Sequence, residues 1–429
     1  MARVHHASNV TYNTMRGGYF AYDYSIPSAD FHTFVRRRNR RAAEAHRELL
    51  AALPKRLHIV ELQEKIRSVD DETLTRLFYE YLPVTFSRRH GDPSRPWNAF
   101  SIDTENEDGS ARLAYQGNWR DIFQNWEALL HSSPLFAPNV VAKFLNATTI
   151  DGYNPYRVTD AGVDWERPDP DSPWSNIGYW GDHQIIYLQK LLELTENYLP
   201  GRLDDLLHQR IFAFADVPYR IAGFDKMLED PYNTITFDTA RDQTAAGRRE
   251  ENGTDGNLLH SADGAVVHTS MAEKLLILAL AKASNFAPGG GIWMNTQRPE
   301  WNDANNALVG KGVSVVTTAY LERFARFAAR LLSEADVEWY EVLEPTGVWL
   351  AEISEVLRGA ANQQGSRWTP QTRLAFMRAC GESAQQFRTA AYTEQSFRAT
   401  TRVTRKAVVE FFRLVADFAE QTVSKNRRD

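Results

Sequence analysis

Apolar residues recur at intervals of three and four positions along most of this chain, which is the period of a helix that buries one face. Phe324, Phe327 and Leu331 show the pattern within one such stretch. Proline and glycine separate the stretches, as at Pro200 and Gly201. The pattern predicts about twelve to thirteen helices. They cover residues 38–53, 57–67, 71–82, 121–131, 136–146, 178–197, 202–212, 236–249, 269–284, 311–333, 337–361, 370–390 and 402–424.

Strand patterns are confined to two places. Residues 10–27 alternate in character around Gly17-Gly18, which predicts short strands or an extended arm with a turn. Residues 97–116 contain Asn106-Glu-Asp-Gly109, which fits a hairpin turn. Outside these places the pattern is helical, and the sequence therefore predicts an all-α protein with a short N-terminal β arm or hairpin.

The chain has no low-complexity linker and no compositional break. We therefore expect one domain over residues 1–429, with residues 1–33 as an N-terminal extended arm. An internal repeat is also absent, which argues against a linear helical solenoid. Two loops, 148–177 and 250–268, are long and polar, and long structured loops in a compact domain are usually functional. The helices are therefore expected to carry a site built from loops at one end.

Composition excludes several classes of protein. Apolar residues make up 43% of the chain and charged residues 24%, which is typical of a soluble globular protein. The net charge of −6 argues against binding to nucleic acid, and the basic run Arg36–Arg41 is interpreted as a solvated helix face. The single cysteine, Cys380, rules out an intramolecular disulfide. No signal-like leader follows Met1 and no apolar stretch is long enough to cross a bilayer, so we expect a cytoplasmic protein without a membrane partner. No oligomer signal is visible.

No metal or other cofactor is expected. The spacings of zinc and calcium sites are absent, and His183 alone is better explained as a structural histidine or a sugar ligand. Gly289-Gly-Gly291 lacks the lysine and the spacing of a phosphate-binding loop and is interpreted as a hinge. A GxSxG motif is also absent, which argues against acyl transfer by a serine nucleophile.

The densest chemistry lies at Arg298-Pro-Glu-Trp-Asn-Asp-Ala-Asn-Asn306. Carboxylates move protons at glycosidic oxygens, an indole stacks on a sugar ring, and carboxamides bind hydroxyls. The segment therefore suggests a saccharide site. The alternative is a helix N-terminus that Asp303 caps, with Trp301 buried.

Two further segments are rich in the same residue types. Tyr115–Glu127 places Asp121 after a tryptophan and an arginine at the start of a predicted helix, and the alternative there is an N-terminal cap with an Arg–Asp pair. Residues 148–183 carry indoles, phenols, carboxamides and carboxylates in a loop, where a sugar would satisfy both apolar faces and polar groups. The candidate ligands of this loop are Asp151, Tyr153, Asn154, Arg157, Trp180, Asp182 and His183.

Five blocks of the sequence resemble the six-hairpin glycosidase superfamily. Within it they are similar to bacterial relatives of cellobiose phosphorylase and of the amylo-α-1,6-glucosidase domain of glycogen debranching enzymes. The blocks are Asn13-Thr-Met-Arg-Gly-Gly18, Gln116-Gly-Asn-Trp-Arg-Asp121, Asp151-Gly-Tyr-Asn-Pro-Tyr-Arg157, Ile177-Gly-Tyr-Trp-Gly-Asp-His183 and Glu300-Trp-Asn-Asp-Ala-Asn-Asn306. The resemblance spans about residues 8 to 335 and implies an (α/α)6 barrel with a site at one mouth. The number of predicted helices agrees with that barrel.

The resemblance also implies that Asp303 is the general acid and that the anomeric carbon is inverted. An inverting hydrolase needs a second carboxylate about 6.5–9.5 Å away as the base for water. The sequence leaves the base open, and the candidates are Asp121, Asp151, Asp182, Glu300 and Glu394. The predicted sugar-binding side chains are Trp119, Arg120, Asp121, Asp151, Tyr153, Asn154, Arg157, Trp180, Asp182, His183, Trp301, Asn305 and Asn306.

The expected function is hydrolysis of a glycosidic bond in an oligosaccharide. The related phosphorylases carry flanking β-domains for which this chain has no room, and this difference favours hydrolysis. The phosphorylase alternative stays open, because Arg120, Arg157 or His183 would serve a phosphate as well as a sugar. A sugar epimerase, a polysaccharide lyase and a non-catalytic carbohydrate-binding barrel are further alternatives.

Overall fold

The computed structural model describes residues 7, 19–85, 107, 113–155, 157–171, 184–295, 310–361, 368–393, 397 and 399–427. At Thr85, Asn118, Arg120, Asp121, Gln124 and Asn125 it describes the backbone only. Helices make up about 60% of these residues, which agrees with the all-α class that the sequence predicts. The closure of the helices into a ring of six pairs stays a prediction.

Sixteen α-helices lie in the described part of the chain. They are α1 (Ser28–Arg38), α2 (Arg40–Ala45), α3 (Arg47–Ala52), α4 (Ile59–Arg67), α5 (Glu72–Glu80), α6 (Trp119–Leu130), α7 (Ala137–Asn146), α8 (Gln184–Tyr198), α9 (Arg202–Leu207), α10 (Phe224–Glu229), α11 (Thr239–Asn252), α12 (Met271–Ala283), α13 (Val315–Glu334), α14 (Glu344–Ala361), α15 (Pro370–Ala391) and α16 (Arg405–Asn426). Short 3-10 turns cover Pro134–Phe136 and Thr254–Asn257. No helix among the described residues has both the length and the apolar character needed to span a bilayer.

The strands are short and pair only in small antiparallel sheets. They are β1 (Tyr19–Phe20), β2 (Ser25–Pro27), β3 (Arg56–His58), β4 (Val84–Thr85), β5 (Gln116–Asn118), β6 (Arg157–Thr159), β7 (Gly162–Asp164), β8 (Tyr219–Ile221), β9 (Ile235–Phe237), β10 (Phe286–Ala287), β11 (Gly291–Trp293), β12 (Val313–Ser314), β13 (Trp339–Leu343) and β14 (Thr400–Thr404). The sheets are β1–β4, β2–β3, β5–β6–β7, β8–β9, β10–β11–β12 and β13–β14.

Several helices begin later than the sequence predicts because a strand takes their first residues. Five strands overlap the first residues of a segment that was predicted as helix: β3, β9, β12, β13 and β14. β13 and β14 pair with each other, with Tyr340 opposite Val403, and this pairing outweighs the local helical pattern. The side chain of Thr404 then accepts a hydrogen bond from the Ala407 N–H and starts α16. The N-terminal segment differs as well, since residues 28–33 are helical in α1 and not part of an extended arm.

The predicted helix 38–53 is divided in two places. Asn39 has an extended backbone, its Oδ1 accepts from the Ala42 N–H, and its Nδ2 donates to Asp255 at 3.0 Å. A second break at His46 separates α2 from α3. The predicted helix 202–212 also ends early, at Leu207, because Phe212 pairs with Thr269 in an isolated bridge. The predicted turn at residues 106–109 lies outside the described residues except for Glu107.

Helix α12 lies at the centre of the fold, since every residue from Met271 to Ala283 is buried. A helix that is buried on all faces must satisfy its polar residues internally. Glu273 accepts from the Leu343 N–H at 2.9 Å, and Lys274 donates to the carbonyl oxygens of Thr148 and Ala213 at 3.1 and 2.8 Å. Burial lowers the pKa of Lys274 well below its usual value. These bonds fix the neighbouring segments around α12.

A second buried polar group joins the N-terminal helices to the rest of the molecule. Arg38 and Arg76 both contact Glu80 and Asp255, and all four side chains are at most 2% exposed. Asn146 donates to Glu80 at 2.8 Å. Burial opposes the ionisation of Glu80, but the two guanidinium groups outweigh it and lower the pKa of the carboxyl. We call Arg38, Arg76, Glu80 and Asp255 the buried charge cluster.

We expect Glu80→Gln to lower the free energy of unfolding at neutral pH by about 3–5 kcal/mol, because it leaves two buried arginines short of counter-charge. Urea denaturation followed by circular dichroism measures the loss. The wild-type advantage should be present above the unfolded-state pKa of 4.5 and disappear as the pH falls toward the lowered folded-state pKa.

The matched control is Glu251→Gln, which removes an exposed carboxylate that pairs with Arg41. Its effect should stay within about 0.5 kcal/mol. Equal losses for Glu80→Gln and Glu251→Gln would show that the buried charge cluster has no special weight in stability.

Candidate functional site

The segment that contains Asp303 begins and ends at one place in the fold. Residues 296–309 lie outside the described residues, but both flanks are described. The Gly310 N–H donates to the Met294 carbonyl at 2.7 Å, and the Trp293 indole N–H donates to the Gly310 carbonyl at 2.9 Å. The two ends of the segment are therefore held together at the edge of the β10–β11–β12 sheet.

The glycines before this segment form a turn. The Gly290 N–H donates to the Ala287 carbonyl at 2.9 Å, which connects β10 to β11. Gly291 has φ +139°, and a Cβ there would lie 2.9 Å from the Ser314 carbonyl oxygen. Gly289–Gly291 therefore acts as a tight connection between paired strands, where the sequence suggested a hinge.

A chain of carboxamides leads from this anchor toward the third sequence block. Asn295 Nδ2 donates to Asn285 Oδ1 at 2.6 Å. Asn285 Nδ2 in turn lies 3.4 Å from the hydroxyl of Tyr153. Asn285 lies two residues after the last residue of α12, so the C-terminal end of the central helix connects two segments that are far apart in the sequence.

Asp151 is buried and held by two hydroxyl groups. Thr149 donates to its Oδ1 at 2.5 Å, and Tyr392 donates to its Oδ2 at 2.6 Å. Burial and the Asp151 charge raise the pKa of Tyr392 well above its usual value, so the phenol stays a donor. Tyr392 directly follows α15 and lies two residues before Glu394, which is outside the described residues. The third block is therefore bonded to the late segment from which a base was proposed.

The fourth block reaches the same place through Gln184. This residue begins α8 and directly follows the predicted ligands Asp182 and His183. Lys282 Nζ donates to Gln184 Oε1 at 3.1 Å and lies 5.6 Å from the centre of the Tyr153 ring. Thus the flanks of the Asp303, His183 and Glu394 segments all meet around Asp151 and Tyr153.

Asn154 differs from its neighbours in this group. Its side chain is fully buried, and neither Oδ1 nor Nδ2 has a hydrogen-bond partner among the described residues. An unpaired buried amide costs about 1–3 kcal/mol, because it has lost its bonds to water. A partner that is brought by a ligand would recover this energy.

The second block lies on the β5–β6–β7 sheet. β5 pairs with β6 and runs directly into α6, so Trp119, Arg120 and Asp121 form the first turn of that helix. Asp121 is the third residue of the helix and not its cap. Trp119 is 1% exposed and packs on Phe144, with ring centres 4.8 Å apart.

Arg157 forms an ion pair with a residue of the same sheet. It bonds to Asp164 at 2.5 Å across the β6–β7 hairpin, and its side chain is 20% exposed. Of the predicted ligands, Trp119, Asp151, Tyr153 and Asn154 are thus buried, and Arg157 is partly exposed. Nine others lie outside the described residues, and their roles stay predictions: Glu300, Trp301, Asp303, Asn305, Asn306, Trp180, Asp182, His183 and Glu394.

Three residues of this group were missed by sequence reasoning. Tyr392, Asn285 and Lys282 each lie at the end of a helix and outside the five blocks. Only Tyr392 had a nearby signal, since it precedes Glu394 by two residues. No group of three or more His, Cys, Asp or Glu residues suited to a metal ion is found in the described part of the chain.

Part of the chain matches a known protein family. Residues 20–83 match a family model described as glycoside hydrolase family 149 insertion domain 1. This match supports a carbohydrate-active enzyme of the glycoside hydrolase kind, without extending to the six-hairpin superfamily. It includes none of the five sequence blocks, so the two indications are separate. No curated protein matches the chain.

We expect Tyr392→Phe to lower the free energy of unfolding by about 1–3 kcal/mol, because it removes a hydroxyl that solvates a buried carboxylate. Thermal or urea unfolding measures the loss. Tyr198→Phe is the matched control, since its hydroxyl contacts His131 at an exposed position and should matter little. Unchanged stability of Tyr392→Phe would mean that the bond to Asp151 contributes nothing to this framework.

Proposed function

We propose that this protein cleaves a glycosidic bond in an oligosaccharide, in the cytoplasm, with inversion at the anomeric carbon. Asp303 donates a proton to the departing sugar oxygen, and a water molecule attacks from the opposite face. A second carboxylate takes the proton of that water. The products are two saccharides, and no cofactor takes part.

The convergence of separate sequence blocks is the observation that supports this proposal most. The flanks of the Asp303, His183 and Glu394 segments contact one another through Tyr153, Asp151 and the end of α12. The described ends of the segments that contain these candidate residues thus lie in a single neighbourhood. The family match at residues 20–83 supports the same class of substrate from a different part of the chain.

The surroundings of Asp151 bear on the choice of base. Both of its carboxylate oxygens already accept hydrogen bonds from protein hydroxyl groups. A base for water needs an oxygen that is open to the attacking molecule. We therefore assign Asp151 a supporting role, which leaves Asp121, Asp182, Glu300 and Glu394 as candidates for the base.

Asp303→Asn should lower kcat by about 10²–10⁴-fold while the protein stays folded, because an amide cannot protonate the leaving oxygen. The measurement is sugar release from maltotriose, isomaltotriose, laminaritriose and cellotriose, with circular dichroism as the folding control. Asp263→Asn, at an exposed turn, is the matched carboxylate control. Near wild-type turnover by Asp303→Asn would remove Asp303 from the role of acid.

Phosphorolysis is the second candidate, and the resemblance to cellobiose phosphorylase favours it. Here inorganic phosphate attacks in place of water, and the same acid serves the leaving oxygen. The glycan assay with and without phosphate separates the two. Hydrolysis gives free sugars at a rate that is independent of phosphate, and phosphorolysis gives a sugar 1-phosphate only when phosphate is present. Saccharide binding without turnover would instead indicate a non-catalytic barrel.

Asn154→Leu should raise the free energy of unfolding of the ligand-free protein by about 1–3 kcal/mol and weaken saccharide binding about tenfold or more. The reason is that the amide is unpaired until a sugar hydroxyl reaches it. Isothermal titration with the four trisaccharides and urea denaturation measure the two effects.

Asn139→Leu is the matched control for this variant. Asn139 is equally buried, but its Nδ2 donates to the Phe78 and Tyr81 carbonyl oxygens at 2.9 and 3.3 Å. That substitution should destabilise the protein. If Asn154→Leu destabilises the protein to the same extent as Asn139→Leu, the Asn154 amide has a hydrogen-bond partner within the protein and does not bind a ligand.

A further inference from the structure

Two consecutive arginines of α1 hold the turn of the β6–β7 hairpin. Arg37 donates to the Asp160 carboxylate at 2.6 Å and to the Asp160 carbonyl oxygen at 2.9 Å. Arg38 donates to the Ala161 carbonyl oxygen at 2.6 Å. Three charge-assisted bonds therefore fix a turn of two residues between short strands.

The approach of Arg38 requires a glycine in the hairpin. Gly162 has φ +131°, and a Cβ at this position would lie 2.0 Å from a guanidinium nitrogen of Arg38. On the other side of the arginines, Gly253 lets its backbone pass close to the Arg37 and Arg38 carbonyl oxygens, where a Cβ would lie at 2.5 and 2.8 Å. Glycine at positions 162 and 253 thus leaves the space that the two arginines occupy.

The two arginines differ in what lies behind them. Arg38 is 2% exposed and belongs to the buried charge cluster, so its side chain is held rigidly. Arg37 is 38% exposed and bonds to the turn. Arg37 can therefore be replaced without opening the interior, whereas Arg38 cannot.

The hairpin that is held in this way carries site residues. β6 begins with Arg157, which pairs with Asp164 on β7 and follows Asn154 by three residues. β6 also pairs with β5, which runs into the first turn of α6. A shift of the hairpin would therefore move both predicted saccharide-binding blocks together.

We propose that Arg37 is a positioning residue for saccharide binding, and that the segment matching the insertion-domain model, residues 20–83, is a working part of the site through it. This inference rests on the proposed function. Arg37 does not contact the substrate, and it acts by fixing the β6–β7 hairpin and hence Arg157. The contribution is to affinity, because the bonds of Arg37 and Arg38 to the hairpin turn, which we call the clamp, do not transfer the reacting proton.

The test compares Arg37→Met with Arg41→Met, an arginine of the same segment whose exposed pair with Glu251 does not touch the hairpin. Arg37→Met should raise KM for the most active of the four trisaccharides about 3–10-fold, with kcat within about twofold. Amide hydrogen exchange across residues 157–164 should become faster. Arg37→Lys should recover part of both effects, because it restores the ion pair but not the bond to the carbonyl. Arg41→Met should change neither quantity.

Two results would overturn the inference. Unchanged exchange of the hairpin in Arg37→Met would show that the clamp does not order it. Faster exchange with an unchanged KM would show that the hairpin does not position substrate. If the wild-type protein neither binds nor cleaves any saccharide, the proposed function fails and the saccharide role of Arg37 fails with it, whereas the exchange data still establish whether Arg37 holds the hairpin.

Discussion

The buried charge cluster is the constraint on which the arrangement of this molecule depends. Two arginines and two carboxylates are removed from water, so each must keep its partners or pay a large desolvation cost. The partners come from α1, α5 and the turn at Asp255, with Asn146 of α7 attached. Helices α1 and α5 are therefore joined to the centre of the chain by buried ion pairs. The segment that matches an insertion domain thus contributes charged side chains, Arg38, Arg76 and Glu80, to the interior.

The same principle operates again at the end of α12. Three polar side chains there are partly or wholly buried and hydrogen-bonded. Lys282 donates to Gln184, Asn295 donates to Asn285, and Asn285 donates to the Ala281 carbonyl oxygen. Such a buried polar network holds side chains in fixed positions, because any rotation would leave a donor or an acceptor unpaired. The network supplies a rigid floor between the flanks of three segments that carry carboxylates. Rigid support of this kind is what a preorganised site requires.

The long helices could be predicted from the sequence, whereas most of the strands could not; β1 and β2 are exceptions, because both lie within the predicted residues 10–27. α12 and α15 agree with the apolar period to within two residues, since that signal is local. β13 forms by pairing with β14, and the helix break at Asn39 is stabilised by Asp255. Both partners are distant in the sequence, so the local pattern could not predict either feature. At the site, chemistry singled out Asp151 and Tyr153, but Tyr392 and Asn285 became visible only once the fold had brought them together. The acid Asp303 was assigned by resemblance, and the candidates for the base were chosen by residue type.

The joined flanks at Met294 and Gly310 have a consequence for diversification. The span between the ends of the intervening stretch is set by a backbone hydrogen bond, whatever the stretch contains. Doubling the length of such a closed stretch adds only about 0.6 kcal/mol of closure entropy. Insertions or deletions there would change a stretch whose two ends are already fixed by this hydrogen bond. The scaffold thus offers a cassette in which new specificities can be sampled at little cost to folding.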